Sequence, residues 1–323
     1  MTDTVIVDEG SSQIKCAWVS NNTIHTHMIK ARAKYGRLET MDGGVSDAVY
    51  DVDGREIAIS DIISDPIQTS SDHYQTSDIN RALVHEALRL AGFGGKPVDL
   101  IVTLPVDTFY KDKSKRDDKK AHILKPVTNV NDLPLASIQS VRVAPEAVPV
   151  LDSLCLDDLG QMVDGYDDLE KIMIVDIGGT TTDITLINSD NILEKRQSVK
   201  IGVFDIIREL RNRLFEDPKI DARDPSFNAL ENTLRTGLFR NKTDVKKHID
   251  AASQMVAGRL ISTLNALQSD PEDLDFVTYV GGGAHLLQPL LRKQYGGTTR
   301  KHPNPEFAVA LGLLKNERSQ EPA

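Results

Sequence analysis

Two rhythms of hydrophobic residues alternate along the chain. Short apolar or period-two runs at residues 4–8, at Ile14, Cys16 and Trp18, and at 23–29, 99–104, 141–143, 172–175, 183–187 and 275–280 predict β-strands. Between them, apolar residues three and four apart predict amphipathic helices: Ile79, Leu83, Ala87 and Leu90; Ile206, Ile207, Leu210 and Leu214; Val256, Leu260, Ile261 and Leu264; and Phe307, Leu311 and Leu314. Asp78 reads as the N-cap of the first helix and Gly92 as its close. The second opens at Gly202, Val203, Phe204 and Asp205, and the third covers roughly residues 243–267. Helices that pass into strands in this way predict an α/β fold built on central sheets. Residues 31–76, with short strands near Val49 and Tyr50 and at 55–59, read as an inserted lobe or peripheral loops with little chemistry.

One apolar run ends in a distinctive way. Ile174 and Val175 lead to Asp176, then Ile177, Gly178, Gly179, Thr180, Thr181 and Thr182, before Asp183 resumes a β pattern. This predicts a hairpin whose tip combines glycine backbone freedom with hydroxyls and exposed N–H groups, and whose mouth carries an acid. Such a tip suits phosphate, and Asp176 suits magnesium or its waters. A structural Gly-Gly turn explains one copy equally well. The scheme, however, recurs near the N-terminus as Ile6, Val7, Asp8, Glu9, Gly10, Ser11 and Ser12. Two like hairpins predict two like halves, each giving one jaw of a phosphate clamp.

Further candidates are read with their plainer alternatives. Lys15 lies just beyond the first tip, where its ammonium can reach β- or γ-phosphate oxygens; the alternative is an exposed strand lysine. Pro145 suits the first turn of a helix, which places Glu146 at a helix N-terminus, either as a cap or facing the cleft to orient a water. Gly281, Gly282 and Gly283 between a strand and a helix allow close approach to a flat ligand, while His285 reads as a surface helix residue. Residues 111–120 are densely charged and read as a solvated mobile loop, with a subunit contact as the alternative. Small residues Ala308, Ala310 and Gly312 predict that the last helix packs tightly against the first half. The acidic stretch 157–168 reads as the boundary between halves.

At 323 residues, 40% of them hydrophobic, the chain has room for two domains with full cores. Its longest apolar runs fall far short of a membrane span, and its start lacks the basic flank and apolar core of a secretory signal, so a cytoplasmic location without membrane contact is expected. Cys16 and Cys155 are the two cysteines and have no ligand or redox spacing. A net charge of −10 argues against a broad DNA footprint, and no direct nucleic-acid binding is expected.

The order of these parts resembles the actin, Hsp70 and sugar kinase superfamily: hairpin with Asp8, segment with Glu146, hairpin with Asp176, glycine turn at Gly281, closing helix at Pro305. Within it, Ser77 to Asn80, the stretch 98–105 ending Thr-Leu-Pro, the stretch 143–149 containing Pro-Glu-Ala-Val-Pro, and the second hairpin are most similar to ParM-type plasmid-segregation actins. That resemblance implies an actin-like ATPase fold of two domains with duplicated ribonuclease H-like topology, each with a five-stranded sheet, and a nucleotide cleft between them. It implies domains at 1–163 plus 305–323 and at 164–304. It implies ATP, with GTP left open, and Mg2+. Asp8, Ser11, Ser12, Gln13 and Lys15 would form the first phosphate loop, Asp176, Gly178, Gly179, Thr180 and Thr181 the second, and Gly281, Gly282 and Gly283 the adenosine turn. Asp8 and Asp176 would face the metal, and Glu146 with Asp176 would serve hydrolysis. Glu9 departs from the pattern as a second acid beside Asp8, expected to alter metal binding.

The implied function is an ATP-hydrolysing filament, self-assembled, that segregates plasmid DNA through a DNA-binding adaptor of ParR type. The competing functions are a monomeric small-molecule kinase of the same superfamily, a cell-shape or cell-division actin, and an Hsp70-like chaperone. The last is disfavoured because a peptide-binding domain is expected after the closing helix and the chain ends at Ala323.

Overall fold

Each half of the chain builds its own sheet and its own core. The computed structural model describes residues 2–41, 43–67, 69–71, 73–166, 169–188 and 192–320. The chain divides into two compact units, one of Met1–Ile63, Ile67–Asp168 and Glu306–Ala323, the other of Ser64–Pro66 and Leu169–Pro305. Of the acidic stretch expected as a boundary, Asp167 and Asp168 lie outside the described residues.

In the first unit β1 (Asp3–Glu9), β2 (Gln13–Ser20) and β3 (Thr23–Lys30) form an antiparallel meander. β4 (Ala33–Tyr35), β5 (Val49–Val52) and β6 (Arg55–Ile59) follow. After α1 (Asp78–Leu88) come β7 (Pro97–Leu104), α2 (Val106–Lys111), α3 (Lys113–Ile123), β8 (Thr128–Asn129), β9 (Ser137–Pro145) and α4 (Val150–Cys155). The main sheet has the order β3-β2-β1-β7-β9, with β1, β7 and β9 parallel. Its central position buries Val5, Ile6 and Val7 of β1 completely. The expected peripheral lobe is a second sheet, β4-β6-β5-β8.

Four expectations change here. The N-cap of α1 is Ser77, whose hydroxyl accepts from the Asn80 N–H at 3.1 Å; Asp78 is the first helical residue, buried and paired with Arg55 at 2.9 Å. All of α1 is buried, not one stripe, because it packs on β2 and also on β5 and β6. Two of its buried charges are paired across the packing, Arg81 with Asp53 and Glu86 with Arg89 and Tyr50. Leu90, counted in the stripe, is exposed beyond the helix end, in the turn closed at Gly92. Residues 111–120 are not a loop: Asp112 caps α3 by accepting from the Ser114 N–H, and one face of that helix is buried.

The second unit repeats the meander with β10 (Lys171–Ile177), β11 (Thr182–Asn188) and β12 (Leu193–Val199). It continues through α5 (Val203–Glu216), α6 (Phe227–Thr236), the small hairpin of β13 (Leu238–Phe239) and β14 (Thr243–Asp244), α7 (Lys246–Leu267), β15 (Phe276–Val280) and α8 (Ala284–Tyr295). Helix α7 starts three residues later than predicted because Thr243 and Asp244 are paired in the hairpin. Among the described residues the sheet has four strands, β12-β11-β10-β15, not the five expected; a single parallel bridge from Val277 to Thr299 occupies the fifth place. The predicted apolar positions Ile206, Ile207, Leu210 and Leu214 of α5, and Val256, Leu260 and Leu264 of α7, form one core with Val175, Ile177 and Ile184.

The last helix, α9 (Ala308–Ser319), belongs to the first unit, where Ala310 and Leu314 pack on Ile6, Ala17 and Ile101. A Cβ at Gly312 would lie 1.7 Å from the Pro149 carbonyl oxygen, so the glycine is what lets α9 seat on the segment just before α4.

Candidate functional site

The first loop sits where β1 turns into β2, and its charges are neutralised locally. The register places Asp8 opposite Lys15, and the Lys15 Nζ lies 3.0 Å from the Asp8 Oδ2. The other Asp8 oxygen accepts from the Thr103 hydroxyl at 3.2 Å. Both charged side chains are buried, so Lys15 is not the exposed strand lysine of the plainer reading. Ser11, Ser12 and Gln13 are half-buried at the tip. Glu9, expected to disturb a metal, points elsewhere: it is fully buried, 3.0 Å from the equally buried Lys119 of α3. Burial pushes the Glu9 carboxyl up to about 7 against the pull of that ammonium, and burial lowers Lys119 as well.

The loop's carbonyls are tied back by a segment from which little chemistry was expected. Gln75 Nε2 donates to the Glu9 carbonyl at 3.3 Å, the Tyr74 hydroxyl to Gly10 at 3.3 Å, and the Thr69 hydroxyl to Ser11 at 2.5 Å. The Ser12 carbonyl accepts from the Ala31 N–H.

The second loop is braced by backbone instead. Gly178 N–H closes the tip on the Thr181 carbonyl at 2.8 Å, and Thr180 and Thr181 are half-buried. The carbonyls of Gly178 and Gly179 accept from the N–H groups of Val203 and Phe204 at the start of α5. That approach needs Gly202, where a Cβ would meet the Gly179 carbonyl oxygen at 2.5 Å. Asp176 is half-buried, and its register partner on β11 is Asp183, which is buried and accepts from the Ser198 hydroxyl at 2.5 Å.

The glycine turn packs against the end of β10. A Cβ on Gly281, which has φ +81°, would lie 2.4 Å from Asp176 Oδ1, and one on Gly283 would lie 2.4 Å from the Ile177 Cγ2. Gly283 N–H donates to the Ile177 carbonyl, Gly282 is half-buried between them, and His285 is exposed on α8 as expected. Close packing thus accounts for Gly281 and Gly283 and sets the turn beside Asp176.

Glu146 is not at a helix N-terminus. Pro145 is the last residue of β9, tolerated there because β9 is a sheet edge, and α4 begins only at Val150. Glu146 lies in a tight turn in which its N–H donates to the Leu104 carbonyl and its own carbonyl accepts from the Val148 N–H at 2.8 Å. The residue between, Ala147, is held at φ +63° and fully buried, a conformation alanine adopts only when its surroundings enforce it. The half-buried Glu146 carboxylate acts electrostatically on both Lys119 and Tyr74. In the first unit, therefore, the loop, Lys119 and Glu146 form one neighbourhood.

Sequence reasoning missed Thr69, Tyr74, Gln75, Thr103, Lys119, Asp183 and Gly202. Only Asp183 carried a signal, as the residue seven positions after Asp176 that matches Lys15 after Asp8.

Residues 4–154 match the family described as plasmid segregation protein ParM, N-terminal, and residues 174–293 match the one described as archaeal actin homologue MreB-like, C-terminal. No curated protein matches the chain. Among solved structures, a 15-stranded ParM filament from Clostridium botulinum is 20% identical at a TM-score of 0.77, with 97% of this chain and 98% of that chain covered. An archaeal actin homologue is also 20% identical at a TM-score of 0.77, covering 99% and 100%. Its complex with ADP is 20% identical at 0.73, covering 97% of each chain. The chain thus carries ParM-type sequence in its first half and MreB-like sequence in its second, on the actin-like fold.

Proposed function

We propose that this chain is an ATP-dependent polymerising protein of the cytoplasm whose dynamic filaments segregate plasmid DNA through an adaptor of ParR type bound to a centromere-like site. The observation that carries the reading is the repeated hairpin: each unit presents a four-residue, glycine-containing tip with an aspartate at its mouth. Support comes from the ParM-type sequence of the first half and from the filament and the ADP complex among the similar structures.

In this reading Lys15, Ser11, Ser12 and Gln13 grip phosphate from the first loop, and Gly178, Gly179, Thr180 and Thr181 from the second. Gly281, Gly282 and Gly283 line the adenosine. The oxygen donors present fit magnesium, which takes one or two carboxylates and fills its shell with water and phosphate; among the described residues no group of three or more ligating side chains gathers. Asp8 and Asp176 would face the metal, with the oxygens of Asp8 also held by Lys15 and Thr103. Bound magnesium would offset charge on the phosphate oxygens. Glu146, which precedes the strained turn at Ala147, would orient and deprotonate the attacking water. No described helix is long and apolar enough to cross a membrane.

Electron microscopy of the purified protein with and without ATP tests the proposal. Filaments that require nucleotide are expected. A protein that stays monomeric with ATP and transfers phosphate to a small-molecule hydroxyl would replace it with the kinase reading.

A further inference from the structure

The first loop has three consecutive carbonyls, of Glu9, Gly10 and Ser11, and each accepts from a different side chain of one segment: Gln75, Tyr74 and Thr69. Peptide planes are rigid, and no peptide bond among the described residues is cis. A carbonyl held on one side therefore turns the next N–H to the opposite side. Fixing these three carbonyls orients the N–H groups of Gly10, Ser11 and Ser12 together, away from residues 69–75. Aligned N–H groups form an anion-binding concavity, whereas an inward carbonyl would repel phosphate.

A buried cation locks the segment that does this. Lys119 Nζ donates to the Gln75 carbonyl at 2.8 Å, to Gln75 Oε1 at 2.9 Å and to Asn80 Oδ1 at 2.8 Å, and pairs with Glu9 at 3.0 Å. By holding Gln75 Oε1 it also fixes which end of that amide faces the loop, leaving Nε2 to donate to the Glu9 carbonyl. Burying this ion pair costs desolvation that such a pair rarely recovers as stability, which points to a role in specifying a geometry.

We propose that Thr69, Tyr74 and Gln75, locked by Lys119, are positioning residues that orient the peptide planes of the first loop toward an anionic phosphate. The inference rests on the reading of that loop as a phosphate grip.

Two hydroxyl deletions test it without disturbing charge: the double variant Thr69→Val with Tyr74→Phe, compared with Thr69→Ser, which keeps its hydroxyl. Amide hydrogen exchange of the nucleotide-free protein should accelerate at least about tenfold over Gly10 to Gln13 in the double variant and stay unchanged over Gly178 to Thr181. The Kd of a fluorescent ATP analogue with magnesium should rise about tenfold, with phosphate release at saturating ATP near wild type, and Thr69→Ser should behave as wild type. The paired change Lys119→Met with Glu9→Gln, which leaves no buried charge alone, should loosen the same four amides. Exchange and affinity within twofold of wild type would overturn the proposal, as would equal acceleration over both loops. Wild-type protein that binds no ATP would sink the phosphate reading itself, and the exchange result would still decide whether the brace exists.

Discussion

The two hairpins share a backbone plan and differ in charge and in what holds them. In each, an aspartate faces the residue seven positions on across the ladder: Asp8 faces Lys15, and Asp176 faces Asp183. The first pair is an acid with a base, the second an acid with an acid. The first tip is braced by side chains from residues 69–75, the second by the N–H groups of Val203 and Phe204 and by glycines packed on the end of β10. Duplication of a fold thus leaves room for division of labour: the half that keeps a lysine can offset phosphate charge, and the half that keeps two carboxylates can attract a cation.

The largest test of that contrast concerns the bracing. Gly281→Val must place a branched side chain at positive φ against Asp176 and the Ile177 carbonyl, and should cost about 3–5 kcal/mol. In the first hairpin a Cβ on Gly10 would meet only the Gln13 carbonyl oxygen, at 2.9 Å, so Gly10→Ala should cost about 1–2 kcal/mol. Urea unfolding measures both, and equal losses would mean that the hairpins are braced alike.

The charge contrast comes next. Asp176→Asn should abolish most of the gain in ATP affinity that magnesium gives, on the order of 100-fold, whereas Lys15→Met should keep that gain and weaken binding about tenfold overall. Titrations with magnesium and with chelator separate them. If Lys15→Met erased the magnesium effect as fully as Asp176→Asn, the assignment of cation and anion duties would be wrong.

The smallest effect distinguishes the units by pH. In the first unit Asp152 of α4 accepts from Asn316 of α9 at 3.1 Å, and burial pushes its carboxyl up to about 6. A folded-state pKa above the unfolded value means that the protonated form favours the folded state. The contribution is therefore full below about pH 4 and lost as pH rises through about 6. Asp152→Asn should raise stability at pH 7 by about 1–2 kcal/mol, allowing for partial solvent screening, and should flatten the profile between pH 4 and 7. Thermal unfolding across that range measures it; a variant no more stable than wild type at pH 7 would show that the carboxylate is solvated.

Much of this could be read from residues that repeat. The hairpins announced themselves through an apolar pair, an aspartate and a glycine, and α5 and α7 through apolar spacing that the structure buries as predicted, except that Ile261 is only half-buried. What stayed hidden depends on tertiary contact. Lys119 is one lysine in a run of charge, and the buried face of α3 is only Lys119, His122 and Ile123, too polar to register as a stripe. Pro145 suggested a helix start, and only the edge position of β9 explains why it ends a strand instead. The braces from Thr69, Tyr74 and Gln75 join side chains to backbone some sixty positions away, and such contacts leave no periodicity in sequence.

The central claim is that nucleotide drives assembly and that its hydrolysis, through Glu146, drives disassembly. Light scattering and phosphate release recorded on one sample of Glu146→Ala test it most directly. Losing a water-positioning carboxylate should lower hydrolysis on the order of 100-fold or more while leaving the phosphate grip of Lys15 and the two loops in place. The account predicts a protein that polymerises with ATP, releases little phosphate and keeps its filaments after free ATP is withdrawn. A Glu146→Ala protein that hydrolyses ATP and disassembles at the wild-type rate would contradict it.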